Sequence, residues 1–142
     1  MTARALHLAT ERAGGPSAYA AGRCNIGPAE IARRRLVGHV SAIVAVVLLA
    51  VLLGTDAPPW SRLVLFLPAA VGAAGYLQAH FRFCADYGWR GVFNFGEAGH
   101  DRVTPVRDAA ARARDRRRAA LIGLGSGAIG IAVVLASLLI RV

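Results

Sequence analysis

The chain has 142 residues, of which 56% are hydrophobic, a mean hydropathy of +0.48 and a formal charge of +9. A water-soluble domain spreads its charges over its surface. Here the apolar residues stand in blocks with the charges between them, which excludes an ordinary soluble globule and indicates a bilayer protein. The positive charge fits either nucleic-acid binding or loops held beside anionic lipid, and the apolar blocks favour lipid, so no nucleic-acid partner is expected.

Residues 1–22 are rich in Ala, Gly, Ser and Arg and read as a flexible tail, with order beginning near Arg23. The remainder, 23–142, reads as one membrane domain. Residues 1–35 hold no apolar signal-peptide core, being interrupted by Arg12, Arg23 and Arg33, so the first span is expected to act as an uncleaved membrane signal. Pro28 suits the first turn of a helix, where its missing N–H costs nothing. Glu30 then sits near the positive end of that helix, within reach of Arg33 or Arg34.

Residues 36–54 carry no formal charge. At 1.5 Å per residue these ~19 positions cover roughly 28 Å, close to the hydrocarbon thickness of a bilayer. Pro58 and Pro59 stop that helix, and Trp60 suits an interface. A second span is expected over about 62–80, with a kink at Pro68. Gly72 and Gly75, with neighbouring alanines, give it a small-residue face on which another helix can pack closely.

The long polar segment that follows alternates glycines with aromatics from Tyr87 to Gly96, which suits turns in the headgroup zone. Asn94 reads as a turn or interface hydrogen-bonder. Thr104 is the expected N-cap of a final helix, Pro105 its first residue, and Asp108 and Arg112 an i,i+4 pair. That Arg-rich helix leads into a third span over about 119–140. There Gly123 and Gly127 form a GxxxG pair of the kind that packs helices in membranes. The expected fold class is all-α, an integral membrane protein with three transmembrane helices and a cytoplasmic Arg-rich helix entering the third.

Arginine counts orient the spans. Six Arg precede the first span, Arg62 alone lies between the first and second, nine lie between the second and third, and Arg141 alone follows. The positive-inside rule then places the N-terminus in the cytoplasm and the C-terminus outside. All seventeen basic residues are Arg, a usage that fits a GC-rich bacterial genome and hence a bacterial inner membrane.

Chemistry is only faintly written. Cys24 and Cys84 fall on the same expected side, and His80 and Cys84 share a face if one helix carries both. Cys24, His80 and Cys84 make a candidate soft-metal set. Arg82 and Arg90 near Cys84 offer instead a means of activating its thiol. The plainest reading makes both cysteines small packing residues. Arg33, Arg34 and Arg35, and Arg116, Arg117 and Arg118, read as topology signals in contact with lipid, although Arg33–Arg35 would also suit a phosphate. Glu97, His100 and Asp101 have the composition of an acid/base trio but no recognised spacing. There is no nucleotide, metalloprotease or hydrolase motif, so no cofactor is expected. The spans hold too few ionisable groups for an ion path.

The run from Cys24 to Gly38 resembles the opening of the YgaP-like transmembrane domain. The matching positions are Asn25, Gly27, Glu30, Arg34 and Gly38, and Gly72, Gly75 and Cys84 fit the family's second helix and its cysteine. Ala85 stands where that family has proline, and a third span follows. The resemblance covers about residues 24–90 and implies a membrane module associated with rhodanese-type sulfur transfer and helix-mediated dimers. Two functions follow as expectations. One is a non-enzymatic accessory or assembly subunit, in a homo-oligomer or a larger membrane complex. The alternative is a thiol-based sulfur or redox carrier at Cys84, with Cys24.

Overall fold

The computed structural model describes residues 19–99 and 103–140. Helix α1 spans Pro28–Gly54, with Pro28 in its first turn as expected. After a turn, a 3-10 segment at Pro59–Leu65 leads directly into α2, Phe66–His80. A short α3, Ala85–Arg90, precedes a two-residue strand β1, Val92–Phe93, which pairs antiparallel with β2, Thr104–Pro105. Helix α4, Ala109–Leu138, completes the chain.

Three helical stretches, Pro28–Gly54, Pro59–His80 and Ala109–Leu138, are long and apolar enough to cross a membrane. Their surface is inverted relative to a soluble protein. Val46, Leu67 and Leu124 are 68, 67 and 73% exposed, while Asn25, Glu30 and Asp115 are fully buried. Water would penalise that arrangement and hydrocarbon would not. This is the pattern of a multi-pass membrane protein.

The central helix is α2; α1 and α4 both pack on it and have no comparable contact with each other. The α1–α2 crossing is made by glycines. A Cβ on Gly75 would lie 2.7 Å from the Arg34 carbonyl oxygen and 2.7 Å from the Gly38 nitrogen, so only glycine lets the two backbones meet. Gly72 faces Ser41 in the same seam. On α4 the residues turned inward are Ala119, Ile122, Ser126, Gly130, Val134 and Ser137, a helical spacing of three and four. The glycine that seats α4 on α2 is Gly130, whose Cβ would meet Ala70 and Phe66 at 3.0 Å. Gly123 and Gly127, expected to pack helices, have nothing within 4 Å of a Cβ. Within one chain that GxxxG pair is unused.

Other expectations are corrected. Pro68 produces no mid-helix break, because it lies in the first turn of α2, where the 3-10 segment hands over to α-helix. Thr104 and Pro105 do not start the last helix; they form β2. The N-cap is Asp108, whose carboxylate accepts from the N–H groups of Ala110 (3.3 Å) and Ala111 (2.9 Å). Part of the expected tail is packed. Tyr19 stacks on Phe93 at 4.8 Å between centroids, its hydroxyl donates to Asp115 Oδ2 (2.8 Å), and Gly22 N–H donates to Asp115 Oδ1 (2.6 Å). Residues 1–18 lie outside the described residues.

At the far end Arg62 Nη1 donates to the carbonyls of Ser137 and Ile140, the latter at 2.9 Å. A cation on the negative end of a helix is favourable, more so when sheltered from water as the buried Arg62 is. Arg62→Ala is expected to cost about 2 kcal/mol and to raise amide exchange in the last turn of α4; unchanged exchange there would contradict the cap.

Candidate functional site

The basic ends of the helices meet in one polar cap. It is built by residues 19–35, 78–99 and the start of α4, and its centre is the turn between α2 and α3. Helix α2 stops at His80 through paired reverse bonds, Phe83 N–H to the Gln78 carbonyl (3.0 Å) and Arg82 N–H to the Ala79 carbonyl (3.3 Å). That cap needs a left-handed residue, and Arg82 supplies it at φ 51° in place of the usual glycine. The Gln78 side chain accepts from Ala85 N–H (3.0 Å), starting α3.

The break decides the fate of the cysteine cluster. His80 ends α2 and Cys84 caps α3, so the i,i+4 face expected of them does not exist. His80 is exposed and lies edge-on to Phe81 at 5.0 Å. Cys24 is half-buried, its thiol directed at the Ile26 carbonyl (3.8 Å). Among the described residues no three His, Cys, Asp or Glu side chains gather as a metal site. The Cys24–His80–Cys84 set is therefore not assembled.

Cys84 is fully buried and clamped at its backbone. Asn25 Nδ2 donates to its carbonyl (3.0 Å), and its N–H donates to Asn25 Oδ1 (2.7 Å). Its Sγ accepts from Arg34 Nη2 at 3.0 Å. Arg34 also faces Glu30 Oε2 at 3.6 Å, and Arg33 reaches Glu30 Oε1 at 3.9 Å, the pairing expected from the sequence. Glu30 is fully buried; its Oε1 accepts from the Tyr87 hydroxyl (3.0 Å) and Gly99 N–H (2.9 Å). Asn94 ties the same knot from a third side. Its amide donates to the carbonyls of Glu97 (2.9 Å) and Gly99 (3.2 Å), and its backbone brackets Asn25 and Gly27. Gly27 is obligatory here, since a Cβ would stand 2.9 Å from the Phe95 backbone.

Electrostatics weigh against a reactive thiol. Desolvation pushes the Cys84 thiol above its ordinary range, and the Arg34 guanidinium opposes that only in part. At neutral pH less of it is thiolate than for a free cysteine, so alkylation is expected to lag behind that of Cys24 and to rise only at alkaline pH. Rapid maleimide labelling of Cys84 near pH 6 would contradict this. Tyr87 is likewise raised, by burial and then by its bond to Glu30.

The arginine runs separate by role. Arg33 and Arg34 turn to Glu30, and Arg35 is exposed in a cleft. Arg116 and Arg117 are exposed, whereas Arg118 lies over the Phe81 ring at 4.2 Å. Of the loop trio, His100 and Asp101 lie outside the described residues. Sequence reasoning missed Asp115, Tyr87 and the Asn25–Asn94 knot. Asp115 had a signal, as the one acid set among Arg112, Arg114, Arg116, Arg117 and Arg118. Comparison with protein-family models, with curated proteins and with solved structures finds no match to this chain.

Proposed function

We propose that this chain is a non-enzymatic, three-span protein of a bacterial inner membrane, with its polar cap in the cytoplasm, serving as an accessory or assembly subunit. One observation carries the reading. Because α1 and α4 flank α2 without closing over it, an apolar groove of about 400 Å³ is left between them. Its walls are Ala42 and Val46 on one side and Ile129 and Val133 on the other, over a floor that includes Ala69 and Gly72. Small residues at a floor of this kind allow close approach of another helix in lipid. The buried polar residues of the cap, Asn25, Glu30, Asn94 and Asp115, by contrast, are bonded within it. The arginine-rich cap also meets the cytoplasmic charge bias.

A photo-crosslinking residue at Val46 is expected to give a protein adduct in native membranes, of defined mass. The same residue at Leu121, exposed elsewhere on α4, is expected to give lipid adducts alone. Ala73→Phe, which narrows the groove, should abolish the protein adduct. Lipid adducts alone at both positions would contradict the reading. A second reading, a thiol carrier of the sulfur-handling kind that the YgaP-like resemblance implies, is favoured by the Arg34–Cys84 contact at 3.0 Å. It requires the cap to open around a thiol that burial now disfavours as thiolate.

A further inference from the structure

We infer that the cleft between the start of α1 and the end of α2 binds the phosphate headgroup of one anionic phospholipid in the cytoplasmic leaflet. The cleft encloses about 650 Å³ and is two-faced. Ile26, Ile31 and Ala79 make an apolar wall, while Arg35, His80 and Arg82 supply polar and cationic groups. Arg35, Ala79 and His80 also line a second recess of about 370 Å³, which continues down the α1–α2 seam to His39 and Tyr76. Neither recess is lined by an Asp or Glu.

The charge and the position together select the ligand. Arg35 immediately precedes Leu36, where the uncharged stretch of α1 begins. Below it the seam runs past His39 to the Tyr76 hydroxyl, which bonds His39 Nδ1 at 2.7 Å. Two guanidiniums at the boundary above an apolar seam match a phosphodiester joined to acyl chains. A free phosphate would match the cations and leave the apolar wall unused.

The neighbouring arginines sharpen the assignment. Arg33 and Arg34 are directed to the buried Glu30, so of the three consecutive arginines only Arg35 lines the cleft. Arg82 occupies a left-handed position that glycine would fill with less strain. Its side chain lines the cleft. The strained backbone thus carries a guanidinium placed to meet a ligand in the cleft. The inference stands apart from the accessory-subunit reading, because the arginine-lined cleft shares no lining residue with the groove, and the recess below it meets the groove only at Tyr76.

The test is native mass spectrometry of the purified full chain in neutral detergent, with phosphatidylglycerol and phosphatidylcholine offered in competition. The wild-type chain is expected to retain one phosphatidylglycerol in preference to phosphatidylcholine. Arg35→Gln with Arg82→Gln should weaken that retention by on the order of tenfold or more. Arg116→Gln with Arg117→Gln removes the same charge outside the cleft and should leave it unchanged. Arg82→Gly separates binding from folding: its melting temperature should hold or rise while lipid retention falls about fivefold. Equal loss in the two double variants would overturn the site in favour of diffuse surface charge. Displacement of the lipid by millimolar inorganic phosphate would overturn the lipid assignment, and equal retention of the two lipids would overturn both.

Discussion

Gly75→Ala is expected to destabilise the protein by about 2–3 kcal/mol, although alanine is the better helix former. The added methyl would meet the Arg34 carbonyl and the Gly38 nitrogen at 2.7 Å. Both are backbone atoms within α1, so neither can swing aside as a side chain would. The helices must separate, and the loss extends beyond the crossing, because Arg34 on the same turn holds Glu30 and Cys84. Gly127→Ala is the matched control. Nothing lies within 4 Å of its Cβ in the chain, so the monomer should change by less than about 0.5 kcal/mol. Reversible unfolding in mixed micelles at high dilution measures both. Similar effects of the two substitutions would contradict the packing described.

Asn25→Ala is the second large effect. The side chain closes a two-bond clamp on the backbone of Cys84, across 59 residues of sequence. Its removal leaves the buried Cys84 N–H without its partner, at a cost of about 1–3 kcal/mol, while the Cys84 carbonyl keeps the Gly88 N–H at 3.0 Å. A loss of about 2–3 kcal/mol is therefore expected, the upper part of that range because one further bond to the carbonyl is lost as well. Cys84 should become accessible to maleimide at the same time, since the clamp holds the turn that covers it. A stable variant whose Cys84 stays unlabelled would show that the cap is held by other groups. Glu30 adds a subtler check. Its Oε1 accepts from both the Tyr87 hydroxyl and Gly99 N–H, so Glu30→Gln should unsettle the 94–99 turn more than it unsettles α1. Amide exchange in that turn reports the difference.

The spans were legible because their signal is local. An uncharged run of bilayer length needs no knowledge of the rest of the chain, and residues 36–54 fall inside α1 accordingly. Pro28 and Glu30 were equally readable, since helix starts are written within a few residues. The start of α4 was misread because Thr104-Pro105 and Asp108-Ala109 both offer helix-start residues. Only the distant pairing with Val92–Phe93 makes the first of them a strand. The His80–Cys84 face failed for a related reason. Nothing in the sequence of Phe81 and Arg82 announces a left-handed arginine, so one helix through both His80 and Cys84 stays open as a reading until the turn is seen. The cap itself is assembled from Asn25, Glu30, Cys84, Tyr87 and Asn94, whose partnership exists only once three helices are in place. Small-residue faces could be found in the sequence, but not which one the fold uses: Gly75 is closed on Gly38, and Gly127 is open.

The central claim is that three helices cross the membrane with the polar cap on the cytoplasmic side. Cys24 is a native handle on the cap, and Asp56, exposed in the turn after α1, marks the opposite end. A membrane-impermeant maleimide should label the wild-type chain at Cys24 in inverted vesicles and not in intact cells. The Asp56→Cys chain in a Cys24→Ser background should label in intact cells and not in inverted vesicles. Labelling of both positions from the same side would contradict the three-span arrangement, and reversal of the two sides would contradict its orientation.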